Sequence, residues 1–483
     1  MSQFNSNNKS VRTRFAPSPT GYMHIGSLRT ALYEYAFAKS FAGKFILRIE
    51  DTDRNRYVPG ATEKIYDMLK LFGLNWDEGP LVGGSHSPYI QSERVKTGIY
   101  QKVAEKLVLE KHAYYCFCQA KSKEEIKEEH EEGLISFRDE NCRNLTPSQV
   151  EEKLHSGLKP AIRLRVPENE TVKFYDFIRG KEIFWNTKEV DEVMLLKSDG
   201  FPTYHLAVVV DDVEMEISHI LRAHEWLPST PVHILLYQYL NYQTPQVGHF
   251  TVILDPEGGK LSKRKGNVSV EEFLAEGYLP EAILNYIMLL GWAPKDNREL
   301  FTLQELVDNF QKGSLQIANP VFNQKKLDWF NGYYIRQKTD QELFELLRKF
   351  VPENADVDLI NKTVHLVKDR ITKLSDYSSL VGFFFKEPEI NEELFEENAK
   401  VQLVGALEIL ESLGTWDKEN LESALQNFIK QNNWNTGQFF MNFRIAITGS
   451  RFTPPITDSA EILGKEKTRE RIKKALSLLT STS

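Results

Sequence analysis

Two stretches far apart in the chain carry residue types suited to holding phosphate. The first is Arg14-Phe15-Ala16-Pro17-Ser18-Pro19-Thr20-Gly21-Tyr22-Met23-His24-Ile25-Gly26-Ser27. After Ile25 the apolar Leu28, Leu32, Tyr35 and Ala36 recur at helical spacing until Gly43, which predicts a strand, a tight turn and a helix start. A helix start offers unpaired N–H groups and a positive dipole end, both favourable to an anion. His24 can donate hydrogen bonds, and Gly26 leaves room for a ligand to approach the backbone. The second stretch is Gly258-Gly259-Lys260-Leu261-Ser262-Lys263-Arg264. Its glycines can hinge, and its cations can close over a triphosphate and neutralise charge on departing pyrophosphate. It is not a P-loop, because Leu254 and Leu261 stand where that motif needs glycine and Ser or Thr. Taken singly, one stretch is an ordinary strand-to-helix turn and the other a basic surface loop.

The elements that must position these stretches follow from the surrounding pattern. Residues 45–49 form a short apolar run ending in Glu50-Asp51-Thr52-Asp53-Arg54, the look of a buried parallel strand. In open α/β sheets ligands lie outside the carboxyl ends of strands, which places Glu50 beside a substrate. Asp51, Thr52 and Asp53 suit helix capping, whereas glutamate is a poor cap. Helical patterns cover residues 60–73 and 92–110, and the rhythm then becomes irregular from 114 to 200. A charged helix at 122–132 and a short strand at 161–166 mark an inserted α+β segment. Residues 206–210 read as a buried strand after the Gly200-Phe201-Pro202 turn, and 217–226 as another. That reading sets Tyr204, Arg222 and Glu225 near strand ends. From Val270 onward the pattern turns helical, and strand signals nearly vanish after Gly332.

Composition sets the outer bounds. The chain has 483 residues with 41% hydrophobic content, enough for several domains. No apolar run spans a membrane, and the polar start is not a signal peptide, so a cytoplasmic protein is expected. A net charge of −8 leaves room for a nucleic-acid partner through a local basic face. The three cysteines, Cys116, Cys118 and Cys142, exclude a disulfide framework. A Cys-x-Cys pair with a third cysteine downstream invites zinc, with His112, His130 or His155 as a fourth ligand. No supporting motif surrounds those histidines, so three buried reduced thiols are the expectation.

The string around His24-Ile25-Gly26 resembles the first signature of class I aminoacyl-tRNA synthetases, and Arg-Phe-Ala-Pro-Ser-Pro-Thr-Gly resembles its form in glutamyl and glutaminyl enzymes. Ser27 stands where the general class has a second histidine. Residues 258–264 resemble the second signature, with Lys263 as chief phosphate ligand. Arg48-Ile49-Glu50-Asp51-Thr52-Asp53-Arg54, Pro202-Thr203-Tyr204-His205-Leu206-Ala207 and Arg222-Ala223-His224-Glu225-Trp226 match the glutamyl enzymes, with His224 replacing an acidic residue. Some of those enzymes bind zinc through a ligand two residues beyond the last cysteine, where this chain has Asn144. Thr436-Gly437 and Ala446-Ile447-Thr448-Gly449 resemble the all-helical anticodon-binding domain of bacterial-type members.

The resemblance implies a fold and a reaction. A Rossmann-type α/β catalytic domain would occupy residues 11–113 and 199–255, after a disordered lead-in at 1–10. An acceptor-stem-binding insert would occupy 114–198, a stem-contact region 256–332, and an all-helical anticodon-binding domain 333–483. Glutamate would be activated with ATP and Mg²⁺ to glutamyl-adenylate and passed to the 3′ end of tRNA(Glu), by a monomer. Implied glutamate-binding residues are Arg14, Ala16, Ser18, Glu50, Tyr204 and Arg222. His24, Gly26, Glu225, Lys260 and Lys263 would serve ATP and the departing pyrophosphate. Arg370, Lys373, Trp434, Phe439, Arg444 and Arg451 are candidate tRNA contacts, since arginine and aromatic side chains suit unpaired bases. A glutaminyl-tRNA synthetase and a catalytically silent tRNA-binding relative are the alternatives.

Overall fold

The computed structural model describes residues 10–118, 139–261, 268–311 and 313–481. Most of the expected lead-in, the charged helix at 122–132, His130, and the loop residues Ser262, Lys263 and Arg264 lie outside them. The chain divides into two compact units, residues 1–273 with 284–323, and residues 274–283 with 324–483. The expected stem-contact region at 256–332 is therefore shared between the units, because the helix Gln324–Gln337 belongs to the second.

In the first unit, β1 (Arg12–Phe15) and β2 (Lys44–Leu47) run parallel and are joined by the helix Ile25–Ser40. The helix ends where Gly43 passes Val11 so closely that a Cβ would sit 2.2 Å from its carbonyl oxygen. Further along are β3 (Ala113–Cys116), β4 (Ala161–Leu164), β5 (Thr171–Asp176), β6 (Lys181–Asn186), β7 (Met194–Leu196), β8 (His219–Ala223) and β9 (Gln246–Phe250). β3, β4 and β7 form a small antiparallel sheet. The order β6-β5-β9-β8 forms a four-stranded sheet in which β9 runs parallel to both neighbours. The hairpin β5–β6 thus extends the sheet that carries β8, so residues 114–198 contribute to two sheets.

Two elements differ from the sequence pattern. Residues 206–210 are helical, within Tyr204–Glu214, and not a strand. Leu206 to Asp212 are all buried, and a helix apolar on every side has no amphipathic period to distinguish it from a core strand. Residues 92–110 form two helices, Gln91–Val95 and Ile99–Leu109, separated at Gly98, which adopts φ 74°.

The second unit is helical, and no strand occurs among described residues 324–481. Leu403, Leu410, Leu425, Phe443, Ile447 and Ile472 belong to an apolar cluster drawn from several of its helices. Thr339 caps the helix Asp340–Leu347 through a reciprocal box with Glu342, and Gly449 at φ 70° ends Thr436–Thr448. No helix of the described residues is long and apolar enough to cross a membrane.

Candidate active site

A cavity of about 960 Å³ opens beside the carboxyl ends of β1, β2 and β8. Arg14, Ala16, Ser18, Glu50, Tyr204 and Arg222 line it, and so do His24, Gly26, Glu225 and Lys260. Every expected pocket residue that is described therefore faces one space. Lys263 lies outside the described residues.

The turn at His24 is fixed from two sides. His24 caps the helix Ile25–Ser40, its Nδ1 accepting the Gly26 N–H at 2.9 Å. An Nδ1 that accepts is unprotonated, so the neutral ring carries its proton on Nε2. A Cβ on Gly26 would lie 3.1 Å from Nδ1, so this glycine makes room for the histidine as well as for a ligand. The Ile25 N–H donates to the Val268 carbonyl, the Val270 N–H donates to Met23, and the Met23 N–H donates to the Glu271 carboxylate, each at 2.9–3.0 Å. The chain immediately beyond the second basic stretch is thereby tied to the first. Lys260 pairs with Glu225 at the cavity.

Buried charge on the other side of the cavity is arranged unequally. Arg14 donates to Asp212 through Nε at 3.2 Å and to Glu34 through Nη1 at 3.2 Å. Arg48, wholly buried, donates to Asp212 at 2.7 Å and to Glu50 at 3.0 Å. Asp211, the preceding residue, accepts from Arg94, Tyr100 and Gln91 and lies 3.8 Å from Arg48 Nε. Arg222 differs from these arginines. It donates to His249 Nε2 at 3.0 Å, Thr230 Oγ1 at 2.7 Å and Tyr204 Oη at 3.4 Å, and lies 3.3 Å from His233 Nδ1. Among the described residues no carboxylate pairs with it. Burial lowers the Arg222 pKa from its usual value, but the ordinary value is so high that the group stays charged.

Burial also acts on the acids. It pushes the Glu34 carboxyl up to about 8, with Arg14 opposing the shift. It raises Glu50 as well, against the pull of Arg48. Glu34, Asp212, Thr230, His233 and His249 escaped the sequence reading because their role depends on partners distant in the chain. Consecutive aspartates closing an apolar run were the one available signal.

A second cluster lies apart from this cavity. One ligand atom each from Cys116, Cys118, Asp139 and Cys142 falls within 4.8 Å of the others. Cys118 Sγ is 3.5 Å from Cys142 Sγ, and Asp139 Oδ2 is 3.0 Å from Cys116 Sγ and 3.4 Å from Cys118 Sγ. Edges of that size match a tetrahedron with metal–sulfur bonds of ~2.3 Å and a metal–oxygen bond of ~2 Å. Cys118 is exposed, so the expectation of three buried thiols fails. The fourth group among the described residues is Asp139, three residues before Cys142, and neither His112 nor His155; His130 lies outside the described residues. His112 stacks on Tyr239 at 3.9 Å, and His155 is exposed.

The candidate tRNA contacts fare unevenly. Arg370 is exposed, and Arg444 is held below its usual pKa by burial and by Arg370. Arg451 is occupied by Glu396 at 2.6 Å and the Leu394 carbonyl, and Lys373 by Glu276. Phe439 is core, 1% exposed, and Trp434 packs against it and Phe428. Phe439 is therefore not placed to stack on an unpaired base, whereas Trp434 is half-buried.

Comparison with known proteins gives consistent matches. Residues 10–329 match the family described as tRNA synthetases class I (E and Q), catalytic domain, and residues 342–476 match the anticodon binding domain. A glutamate–tRNA ligase of Borreliella afzelii is 41% identical, over 97% of this chain and 99% of its own. One from Alkaliphilus metalliredigens is also 41% identical, over 96% and 98%. The crystal structure of a glutamate tRNA ligase from Elizabethkingia meningosepticum in complex with its amino acid superposes with a TM-score of 0.82, at 34% identity, covering 97% of this chain and 99% of that one.

Proposed function

The chain belongs to the glutamate–tRNA ligases of the class I tRNA synthetases, and from that premise we propose how its own residues carry out the reaction. The family joins glutamate to tRNA at the expense of ATP. Activation needs no protein nucleophile: a glutamate α-carboxylate oxygen attacks the α-phosphorus, the bond to the β-phosphate oxygen breaks, and pyrophosphate leaves with its electron pair. A terminal ribose hydroxyl of tRNA(Glu) then attacks the activated carbonyl, loses its proton, and releases AMP. The protein contributes positioning and charge.

Arg222 holds the side-chain carboxylate of glutamate, with Tyr204 beside it. The carrying observation is that this buried cation has only uncharged partners, so a substrate carboxylate completes it. Glutamine would leave the cation unbalanced in a desolvated site, a penalty that favours glutamate. Glu50, itself anchored by Arg48, accepts the substrate ammonium, and Arg14, Ala16 and Ser18 shape the adjoining wall. His24 donates its Nε2–H to the triphosphate, and Gly26 and Glu225 line the ATP side. Lys260 and Lys263 neutralise pyrophosphate. Mg²⁺ enters on the phosphate oxygens of ATP and supplies charge neutralisation when bound.

Zinc fits the Cys116, Cys118, Asp139 and Cys142 cluster, where it would tie β3 to the segment before β4. Arg370 and Arg444 remain the arginines available to RNA, and Arg451 serves the fold. The chain is read as a monomer by its resemblance to the family, and tRNA as substrate supports a cytoplasmic setting. Aminoacylation of tRNA(Glu) and tRNA(Gln) transcripts with glutamate and with glutamine tests the reading. Charging of tRNA(Glu) by glutamate alone is expected, and efficient use of glutamine would overturn it.

A further inference from the structure

Behind Arg222 runs a line of side chains that the reaction itself does not use. Arg222 lies on β8, His249 is its register partner on β9, and Asp176 ends the next strand, β5. Arg222 Nε donates to His249 Nε2 at 3.0 Å, and His249 Nδ1 lies 2.8 Å from Asp176 Oδ2. All three are buried, Asp176 and His249 at 0% and 1% exposure.

The proton positions follow from the donors. Asp176 Oδ1 accepts the backbone N–H groups of Ile178 and Arg179, which fixes the rotation of the carboxylate, and the His249 N–H is shared between Oδ1 at 3.3 Å and Oδ2 at 3.2 Å. Its Oδ2 then takes the His249 Nδ1 proton, and Nε2 is left with the lone pair that receives Arg222. Burial is the main reason the His249 pKa is held down at about 4, so the ring stays neutral at physiological pH. A carboxylate placed directly on Arg222 would orient it equally well and cancel its charge, as Asp212 does for Arg14. A neutral imidazole orients the guanidinium and leaves its charge for the substrate.

We propose that His249, locked in one tautomer by Asp176, is a positioning residue that aims the Arg222 guanidinium at the side-chain carboxylate of glutamate and thereby sets the preference for glutamate over glutamine. The proposal rests on Arg222 holding that carboxylate. Asp176→Asn is the discriminating change, because it conserves shape. The Ile178 and Arg179 N–H groups, bound at the Oδ1 position alone, keep the amide oxygen on their side, so the amide nitrogen faces His249 Nδ1. The imidazole must then accept there and present Nε2–H to Arg222, donor against donor.

The test measures steady-state aminoacylation with tRNA present, varying glutamate, glutamine and ATP separately, with unfolding midpoints recorded for every variant. Asp176→Asn and His249→Phe are each expected to raise KM for glutamate roughly tenfold or more, the loss of one hydrogen bond to a charged group. KM for ATP should stay within about twofold, and discrimination against glutamine should fall by a similar factor. The double variant should lose no more than His249→Phe alone, and His249→Gln, whose amide oxygen can receive Nε–H, should recover much of the loss. A glutamate KM unchanged in both single variants, an equal rise for ATP, or additive losses would overturn the proposal. Arg222→Gln serves as control. If it too leaves glutamate KM unchanged, the carboxylate assignment fails; if it alone raises KM, only the aiming role fails.

Discussion

The Lys260 ammonium and the Glu225 carboxylate form an ion pair that joins the second basic stretch to the loop after β8. Both side chains are exposed, 56% and 41%, so the pair contributes no more than ~1 kcal/mol to folding. A triphosphate can therefore take Lys260 away at little cost. Lys260→Met should lower turnover at saturating ATP by roughly 100-fold, the scale for removing one group aimed at developing charge. Its unfolding midpoint should match the parent. Pyrophosphate exchange with tRNA present, run beside a thermal melt, checks both; a stable variant with normal exchange would exclude Lys260 from the chemistry.

Arg222→Gln removes the buried cation while keeping a planar hydrogen-bonding group. Glutamate-dependent adenylate formation should fall below detection at ordinary glutamate concentrations. Normal exchange activity with tRNA present would reject the assignment of this side of the cavity.

Glu34 makes a prediction about pH. Its carboxyl sits at about 8 in the folded chain against an ordinary 4.5. Between those values the folded state keeps a proton that the unfolded chain has lost. Stability from this group is therefore full at low pH and declines as pH rises through the window. Glutamine is a permanent uncharged stand-in, so Glu34→Gln should abolish that share of the decline. Unfolding midpoints of the two proteins from about pH 6 to 9 should diverge as pH rises. Parallel curves would show that Glu34 is ionised throughout.

The cysteine cluster predicts a metal stoichiometry. Protein purified without chelator should carry one zinc per chain by elemental analysis, and Cys142→Ser should carry none. Asp139→Ala should weaken zinc affinity without removing the thiols, and Asn144→Ala should leave it unchanged. Equal zinc retention by the Asp139 and Asn144 variants would assign the fourth position elsewhere.

The cavity was legible in the sequence to the extent that its residues sit in short strings. Arg14, His24, Glu50, Tyr204, Arg222 and Lys260 each lie in a run whose neighbours constrain one another. The residues that hold them were not legible. Asp212 reaches Arg14 across 198 positions and Asp176 reaches His249 across 73, and no local spacing announces such pairs. Residues 206–210 show the other limit. Their uniform apolarity reports burial, and burial is common to a core strand and a core helix. Asp139 illustrates a third: a metal-ligand search fixed on histidine passes over the carboxylate that the backbone brings to the thiols.

The hydrogen bonds that pin the turn at His24 also set a timetable. Met23 waits for Glu271, 248 residues later, and Arg29 for the Leu290 carbonyl, 261 residues later. The ribosome must finish more than half the polypeptide before the first-made turn acquires these anchors, a delay typical of long-range topology. A chain released early would keep His24 yet lack the segment that holds its turn in place. The amino-terminal signature is thus completed only in molecules whose translation has passed Leu290.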